Sequence, residues 1–165
     1  RSIIMVSAPD LTLPAGSGMV NIRVGAILMK GPQFLMAGNT GSDYLYSVGG
    51  RIKFGETAEE AVLREVYEET GYKLKVDRLG FIYENRFVCD WGSNSGKKYY
   101  EIGFFFYMAV PDSFNPVCTS SADNGHREFL RWISPGDTVK YYPEFFASEL
   151  KNPSYQVRHM VTNNW

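Results

Sequence analysis

The 165-residue sequence has little cysteine, little histidine and almost no net charge. Its two cysteines, Cys89 and Cys118, do not have the spacing of a metal or redox motif, which favours reduced thiols and leaves one structural disulfide open. The two histidines, His126 and His159, are predicted in a loop and a tail, so neither a zinc site nor a Ser-His-Asp triad is indicated. A formal net charge of -1 supplies no general field for a polyanion, so we expect no binding to long nucleic acid.

Long hydrophobic runs are also missing. The segment RSIIMVSAPD at the start has an apolar run too short for a signal peptide, and no later run reaches a membrane-spanning length. We therefore expect a cytoplasmic protein that does not enter a membrane. The composition, 44% hydrophobic and 15% aromatic, is typical of a folded globular protein, and the length suits a single domain.

The order of predicted elements indicates an α/β fold. Residues 1–18 contain LPAGSG and are expected to be an N-terminal tail, residues 19–152 a single domain, and residues 153–165 a C-terminal tail. A short helix is predicted to begin near Pro143. Six stretches have strand composition, the first two joined by a turn and the fourth and fifth pairing as a hairpin: VNIRVGAILM, QFLMAG, YLYSV, LKVDRLGFIYENRFVC, YYEIGFFFYMAV and REFLRWI. Strands on both sides of a strong central helix predict a mixed α/β sandwich.

The central helix is well specified by its ends. Thr57 is placed to cap its start, and Glu60, three residues later, is placed to reach back to Thr57 as in a capping box. Gly71 suits the left-handed position that ends a helix. The sequence therefore predicts a helix over residues 58–70.

Three glutamates of this helix, Glu65, Glu68 and Glu69, lie on or beside the face that its apolar residues occupy. One interpretation is a solvated charged face, because most charged residues are exposed. However, like charges at these spacings cost about 0.2 to 0.5 kcal/mol per pair, so a positive group is expected among them. Arg64 alone cannot satisfy these three carboxylates and Glu56. A divalent cation such as Mg²⁺, which prefers oxygen ligands, could do so.

The segment GGRIKFGETAEEAVLREVYEETGY resembles the signature of the Nudix (MutT-like) hydrolases, G-x5-E-x7-R-E-U-x-E-E-x-G-U, where U is a bulky aliphatic residue. Tyr72 departs from it, being aromatic at a packing position. The resemblance implies a Nudix-type mixed-sheet α/β/α sandwich and a hydrolase that cleaves a diphosphate linkage with Mg²⁺ or Mn²⁺. The positions that match in order and spacing are Gly50, Glu56, Arg64, Glu65, Val66, Glu68, Glu69 and Gly71.

The same resemblance implies a role for each matching residue. Glu65, Glu68 and Glu69 would be the metal ligands and, with Arg64, the catalytic residues; which glutamate is the general base stays open. The carbonyl of Gly49 would complete the set of metal ligands. Arg64 would orient the carboxylates, and Glu56 would partner Arg64 or support the metal from further out.

Candidates for the substrate side are fewer. Arg51 is either a phosphate contact or a solvated turn residue, and Asp123 and Glu128 are placed to contribute a further carboxylate. The expected substrate is a small nucleotide, a nucleoside diphosphate linked to another moiety, and a homodimer is left open. Two alternatives to hydrolysis are a non-catalytic nucleotide-binding or regulatory Nudix module, and chemistry like that of isopentenyl diphosphate isomerase, which needs a reactive cysteine.

Overall fold

The computed structural model describes residues 7–117, 120–121 and 126–165. In these ranges the chain forms two α-helices, α1 (Ala58–Thr70) and α2 (Phe146–Glu149), and a short 3-10 helix at Gly92–Asn94. None of the helices in these ranges is long and apolar enough to cross a membrane. The strands are β1 (Thr12–Ala15), β2 (Gly18–Ile27), β3 (Met29–Lys30), β4 (Gln33–Asn39), β5 (Leu45–Arg51), β6 (Lys75–Val88), β7 (Lys98–Ala109), β8 (Ser120–Ser121), β9 (Arg127–Ile133), β10 (Tyr141–Tyr142) and β11 (Arg158–Asn164).

The strands form one mixed sheet in the order β11-β6-β7-β2-β5-β4-β9-β8, with β1, β3 and β10 added at its sides. All six predicted strands are present, and the predicted hairpin is the antiparallel pair β6–β7. Strand β2 runs parallel to β7 and antiparallel to β5, so it links the two halves of the sheet. The residues that precede α1 therefore leave the sheet from its centre.

Residues alternate between two hydrophobic clusters, one on each face of the sheet. In β4, Leu35 and Ala37 face the cluster that includes Val62 and Val66 of α1. Phe34 and Met36 of the same strand face the opposite cluster, with Phe146 of α2. Burial of both faces explains why the central strands are almost continuously apolar. The predicted α/β/α sandwich is confirmed.

Helix α1 has the predicted ends. The backbone N–H of Glu60 donates to the Thr57 hydroxyl at 3.1 Å, and the Glu60 carboxylate accepts from the N–H of Thr57 at 3.2 Å. At the other end, Gly71 adopts a φ of 78° and its N–H donates to the carbonyl of Tyr67 at 2.8 Å. These caps fix the register of the helix, and with it the direction of each glutamate.

Both segments predicted as tails form strands of the sheet. Strand β1 pairs antiparallel with β2 through a two-residue turn, in which Gly16 adopts a φ of 59°, so the glycine-rich LPAGSG is a hairpin rather than a linker. Strand β11 pairs in parallel with β6. Met160 of β11 packs on the second core cluster, and the Thr162 hydroxyl lies 2.8 Å from that of Tyr83. The polar composition of β11 concealed this edge strand.

Helix α2 also differs from its prediction, because it begins at Phe146 rather than near Pro143. Residues 143–145 form turns instead, in which the N–H of Phe146 donates to the carbonyl of Pro143 at 3.3 Å. Cys89 is buried and its thiol donates to the carbonyl of Trp91 at 3.2 Å, whereas Cys118 lies outside the described residues.

Candidate active site

The end of β5 lies directly against α1 because two glycines occupy it. The N–H of Gly49 donates to Oε2 of Glu69 at 2.8 Å. A Cβ on Gly49 would lie 2.1 Å from the carbonyl oxygen of Val24, and one on Gly50 would lie 2.3 Å from Oε1 of Glu65. The contact at Gly49 is with backbone and is too close for any other residue type, whereas a side chain at Gly50 would displace the Glu65 carboxylate. The glycine pair thus allows the two carboxylates to approach the backbone of the sheet.

Arg64 organises the acidic groups on the other side of this contact. Its guanidinium donates to both oxygens of Glu56 at 2.8 and 2.9 Å, and to Glu65 at 2.9 Å. It also donates to the backbone carbonyl of Arg51 at 3.1 Å, which ties α1 to β5. Hydrogen bonding to Glu56 raises the pKa of Arg64, and the same contact holds the pKa of Glu56 below its ordinary value.

Two carboxylates of the site are difficult to ionise as the structure stands. Burial, followed by the negative charge of Glu65, raises the pKa of Glu69 to about 8. Burial also raises the pKa of Glu65, although Arg64 opposes the effect. The Glu68 side chain is 53% exposed and lies 3.4 Å from Arg64. Glu65 and Glu69 therefore form a pair of partly buried, mutually repelling carboxylates.

The acidic side chains of the site are suited to a hard cation, because carboxylates supply only oxygen. In this conformation Arg64 holds Glu65 and Glu68 toward itself, and within the described ranges no three His, Cys, Asp or Glu side chains converge as metal ligands. For a cation to bind, Glu68 would have to turn away from Arg64. Its exposure and its long contact with Arg64 make that a small change.

The structure describes two of the three residues that were predicted on the substrate side. Glu128 lies on β9, and its negative charge raises the pKa of both Glu69 and Tyr46, so the fold brings it to this site. Arg51 is the last residue of β5 and not a turn residue. Asp123 lies outside the described residues.

One residue of the site was missed from the sequence. Arg23, on β2, places a positive charge near Glu65 and Glu69, where it lowers the pKa of both against the effect of burial. The available signal was a lone arginine within the otherwise apolar strand VNIRVGAILM. Its location beside the glutamates depends on strand pairing, which the sequence pattern does not show.

Comparison with known proteins agrees with this geometry. The sequence profile described as NUDIX domain matches residues 19–152. The chain belongs to the Nudix family. The resemblance seen in residues 49–72 is thereby confirmed. The contacts of Gly49 and Arg64 with the glutamates all lie within this Nudix segment.

Named relatives cover the Nudix domain to different extents. A Bacillus subtilis protein named "Putative 8-oxo-dGTP diphosphatase" is 30% identical over 88 residues, which is 53% of this chain and 48% of that protein. The chain thus spans about half the length of this curated relative. A solved UDP-X diphosphatase has a TM-score of 0.57 at 16% identity, covering 88% of this chain and 69% of its own. The MutT protein from Bacillus halodurans has a TM-score of 0.58 at 17% identity, covering 87% and 90%. These two structures share the fold.

Proposed function

We propose that the protein is a divalent-metal-dependent hydrolase that cleaves a diphosphate linkage in a small nucleotide-type substrate, a nucleoside diphosphate joined to another moiety. The observation that carries the proposal is the pair Glu65 and Glu69, held at the Gly49–Gly50 backbone although burial raises the pKa of both and the charge of Glu65 raises that of Glu69 further. Such an arrangement costs stability, and perturbed carboxylates of this kind are typical of functional sites. A bound cation would remove the cost. Family membership and the names of its diphosphatase relatives agree with this function.

Glu65, Glu68, Glu69 and the carbonyl of Gly49 would hold Mg²⁺ or Mn²⁺. When bound, such an ion polarises phosphoryl oxygens and makes a bound water more acidic. Arg64 would keep Glu65 in place, and Glu56, which accepts two hydrogen bonds from Arg64, would fix the guanidinium plane. Glu128 lies near Glu69 and is a further acidic group of the site.

The alternatives weighed from the sequence receive less support. An isomerase-like reaction needs an accessible cysteine, and Cys89, the cysteine within the described residues, is only 3% exposed. A nucleotide-binding module without catalysis would share the fold, and assay decides between it and an enzyme. The scarcity of cysteine supports a reducing, cytoplasmic setting for the proposed enzyme, acting as a monomer or a homodimer.

A substrate panel tests the proposal directly. We expect the protein with Mg²⁺ to hydrolyse at least one member of a panel of nucleoside triphosphates, dinucleoside polyphosphates and nucleotide sugars, and to lose that activity with a chelator. Release of phosphorylated products, followed by ³¹P NMR, is the measurement. Nucleotide binding with no product across the panel would instead establish a binding module.

A further inference from the structure

Strand β11 (Arg158–Asn164) lies at one edge of the sheet, and among the strands of the described ranges only β6 pairs with it. The parallel pairing with β6 covers all seven residues without a register shift. A regular edge strand presents a row of backbone N–H and C=O groups on its outer side, and these groups can pair with a strand of another chain. The outer side of β11 is therefore a surface that a further strand fits.

Strand β11 lacks the features by which edge strands usually avoid such pairing. Its sequence, RHMVTNN, has no proline and no lysine, and its ladder has no bulge. Its two basic residues are held by carboxylates of the same chain. Arg158 lies 3.3 Å from Glu149 of α2, and the ring of His159 is hydrogen-bonded to Glu84 of β6. Residues 160–164 carry no charge, so the edge has no uncompensated charge that would repel an approaching strand.

The sequence of β11 is complementary to itself when a second copy runs antiparallel to it. A twofold axis at the central residue, Val161, pairs all seven positions and places Val161 opposite its own copy. Val161 is 52% exposed, so this contact would bury apolar surface that a single chain leaves in water. Towards the ends, Arg158 would lie opposite Asn164. His159 would lie opposite Asn163, so each basic residue meets an amide rather than a like charge.

The neighbouring elements leave room for this arrangement. Helix α2 reaches β11 at its first residue, where Glu149 meets Arg158. In the antiparallel pair, the starts of the two strands are about 20 Å apart, because Arg158 and Asn164 are separated by that distance at about 3.4 Å per residue. The two copies of α2 therefore lie at opposite ends of the contact. Strands β6, β7 and β2 separate β11 from β5, so the proposed catalytic carboxylates of each copy stay open.

We propose that the protein forms a homodimer in which two β11 strands pair antiparallel about Val161 and join the two sheets into one. The proposal is independent of the hydrolase function, because it concerns an edge strand remote from the proposed catalytic carboxylates. A closed twofold contact is the commonest way in which identical chains associate. The contact of one strand with its copy is small, and small interfaces are typical of transient complexes. We therefore expect a dimer that dissociates on dilution, with a Kd on the order of 10 to 100 µM.

Sedimentation equilibrium over about 5 to 500 µM protein tests the dimer. We expect the mean mass of the parent to rise with concentration from that of one chain toward that of two. Val161→Lys and Val161→Glu each place two like charges opposite one another and remove the apolar contact, so each should weaken dimerisation about tenfold or more. An equimolar mixture of the two variants should dimerise again, because lysine then faces glutamate. Such rescue by mixing identifies a residue that meets its own copy.

Leu13→Lys is the matched control, because it adds the same charge at an aliphatic residue of similar exposure, 56%, on β1. We expect its dimerisation to stay within about twofold of the parent, since the change lies outside the proposed contact. An equal loss of dimer in Leu13→Lys and Val161→Lys would show that the added charge acts without regard to β11, and it overturns the proposal.

Val161→Cys gives an independent measurement of the same contact. The Cβ atoms of directly opposed residues are about 4.5 to 5.5 Å apart, close to the span of a disulfide. Mild oxidation should therefore cross-link Val161→Cys into a dimer on a non-reducing gel, whereas the parent and Leu13→Cys should remain single chains. Circular dichroism establishes that each variant folds; if the charged variants do not, Val161→Cys decides.

Three results overturn the proposal. The first is a parent that keeps the mass of one chain up to about 500 µM. The second is parent-like dimerisation by both Val161→Lys and Val161→Glu, which would place the contact on another surface. The third is an equimolar mixture of these variants that stays monomeric, together with no cross-link in Val161→Cys.

Discussion

Glu69→Gln is expected to lower kcat/KM for diphosphate hydrolysis by about 10²- to 10⁴-fold, the range found for catalytic acid–base and electrostatic groups. Glutamine keeps the volume of the side chain and an oxygen that can accept from the N–H of Gly49, at 2.8 Å in the parent. The change removes the charge and the ability to accept a proton. Steady-state kinetics with the best substrate of the panel measures the effect.

Two other glutamates of α1 provide controls for this experiment. Glu59 lies in the exposed first turn, outside the site, so Glu59→Gln should keep parent activity within about twofold. Glu68→Gln should lose less than Glu69→Gln, because the side chain of Glu68 is half exposed and makes only a 3.4 Å contact with Arg64. Parent-like turnover by Glu69→Gln would show that its carboxylate takes no part in the reaction.

Without divalent cations, the stability of the parent should fall as pH rises from about 5 to 9, relative to that of Glu69→Gln. The pKa of Glu69 is about 8 in the folded protein against an ordinary value of 4.5. Between these values the folded state holds more protons than the unfolded state, so the free energy of unfolding decreases with pH. Above the folded pKa there is no further loss. Since one pKa unit corresponds to about 1.4 kcal/mol, the expected loss is on the order of a few kcal/mol.

Thermal unfolding in a chelator, at several pH values, measures this difference. We expect Glu69→Gln to melt several degrees above the parent at pH 9 and close to it at pH 5. For a chain of this size, each kcal/mol in the free energy of unfolding shifts the melting temperature by about 2 to 4 °C. The lowered pKa of Glu56 has the opposite effect on stability, which it reduces only in acid. Both proteins contain Glu56, so the comparison between them cancels its contribution. Equal melting temperatures at pH 9 would show that the buried carboxylate carries no electrostatic cost.

Helix α1 was predictable because its determinants are local. Thr57 and Glu60 form a cap over three residues, Gly71 ends the helix, and a fixed period then places Glu65 and Glu69 on one side. The glutamates, Arg64 and Gly50 also belong to one short segment, so their proximity follows from a helix and a tight connection. The excess of negative charge on that helix was sufficient to suggest a cation before any distance was known.

The features that were missed depend on pairing between distant strands. Arg23 meets Arg51 only because β2 and β5 align in one particular register. The hairpin β1–β2 was mistaken for a linker, because glycine and proline signal a turn and a flexible segment equally well. The β11 strand carries no alternating pattern, since it lies at the edge of the sheet with most residues exposed. In each case a non-local contact decides the structure.

Metal uptake by the carboxylates of α1 is the most direct test of the account. The parent should bind Mn²⁺ saturably in a titration monitored by electron paramagnetic resonance. It should also bind Mg²⁺ saturably in a calorimetric titration. Glu69→Gln should weaken this binding by tenfold or more, as expected for loss of a charged ligand, whereas Glu59→Gln should leave it unchanged. Absence of saturable uptake by the parent, with or without a diphosphate ligand, would contradict the account.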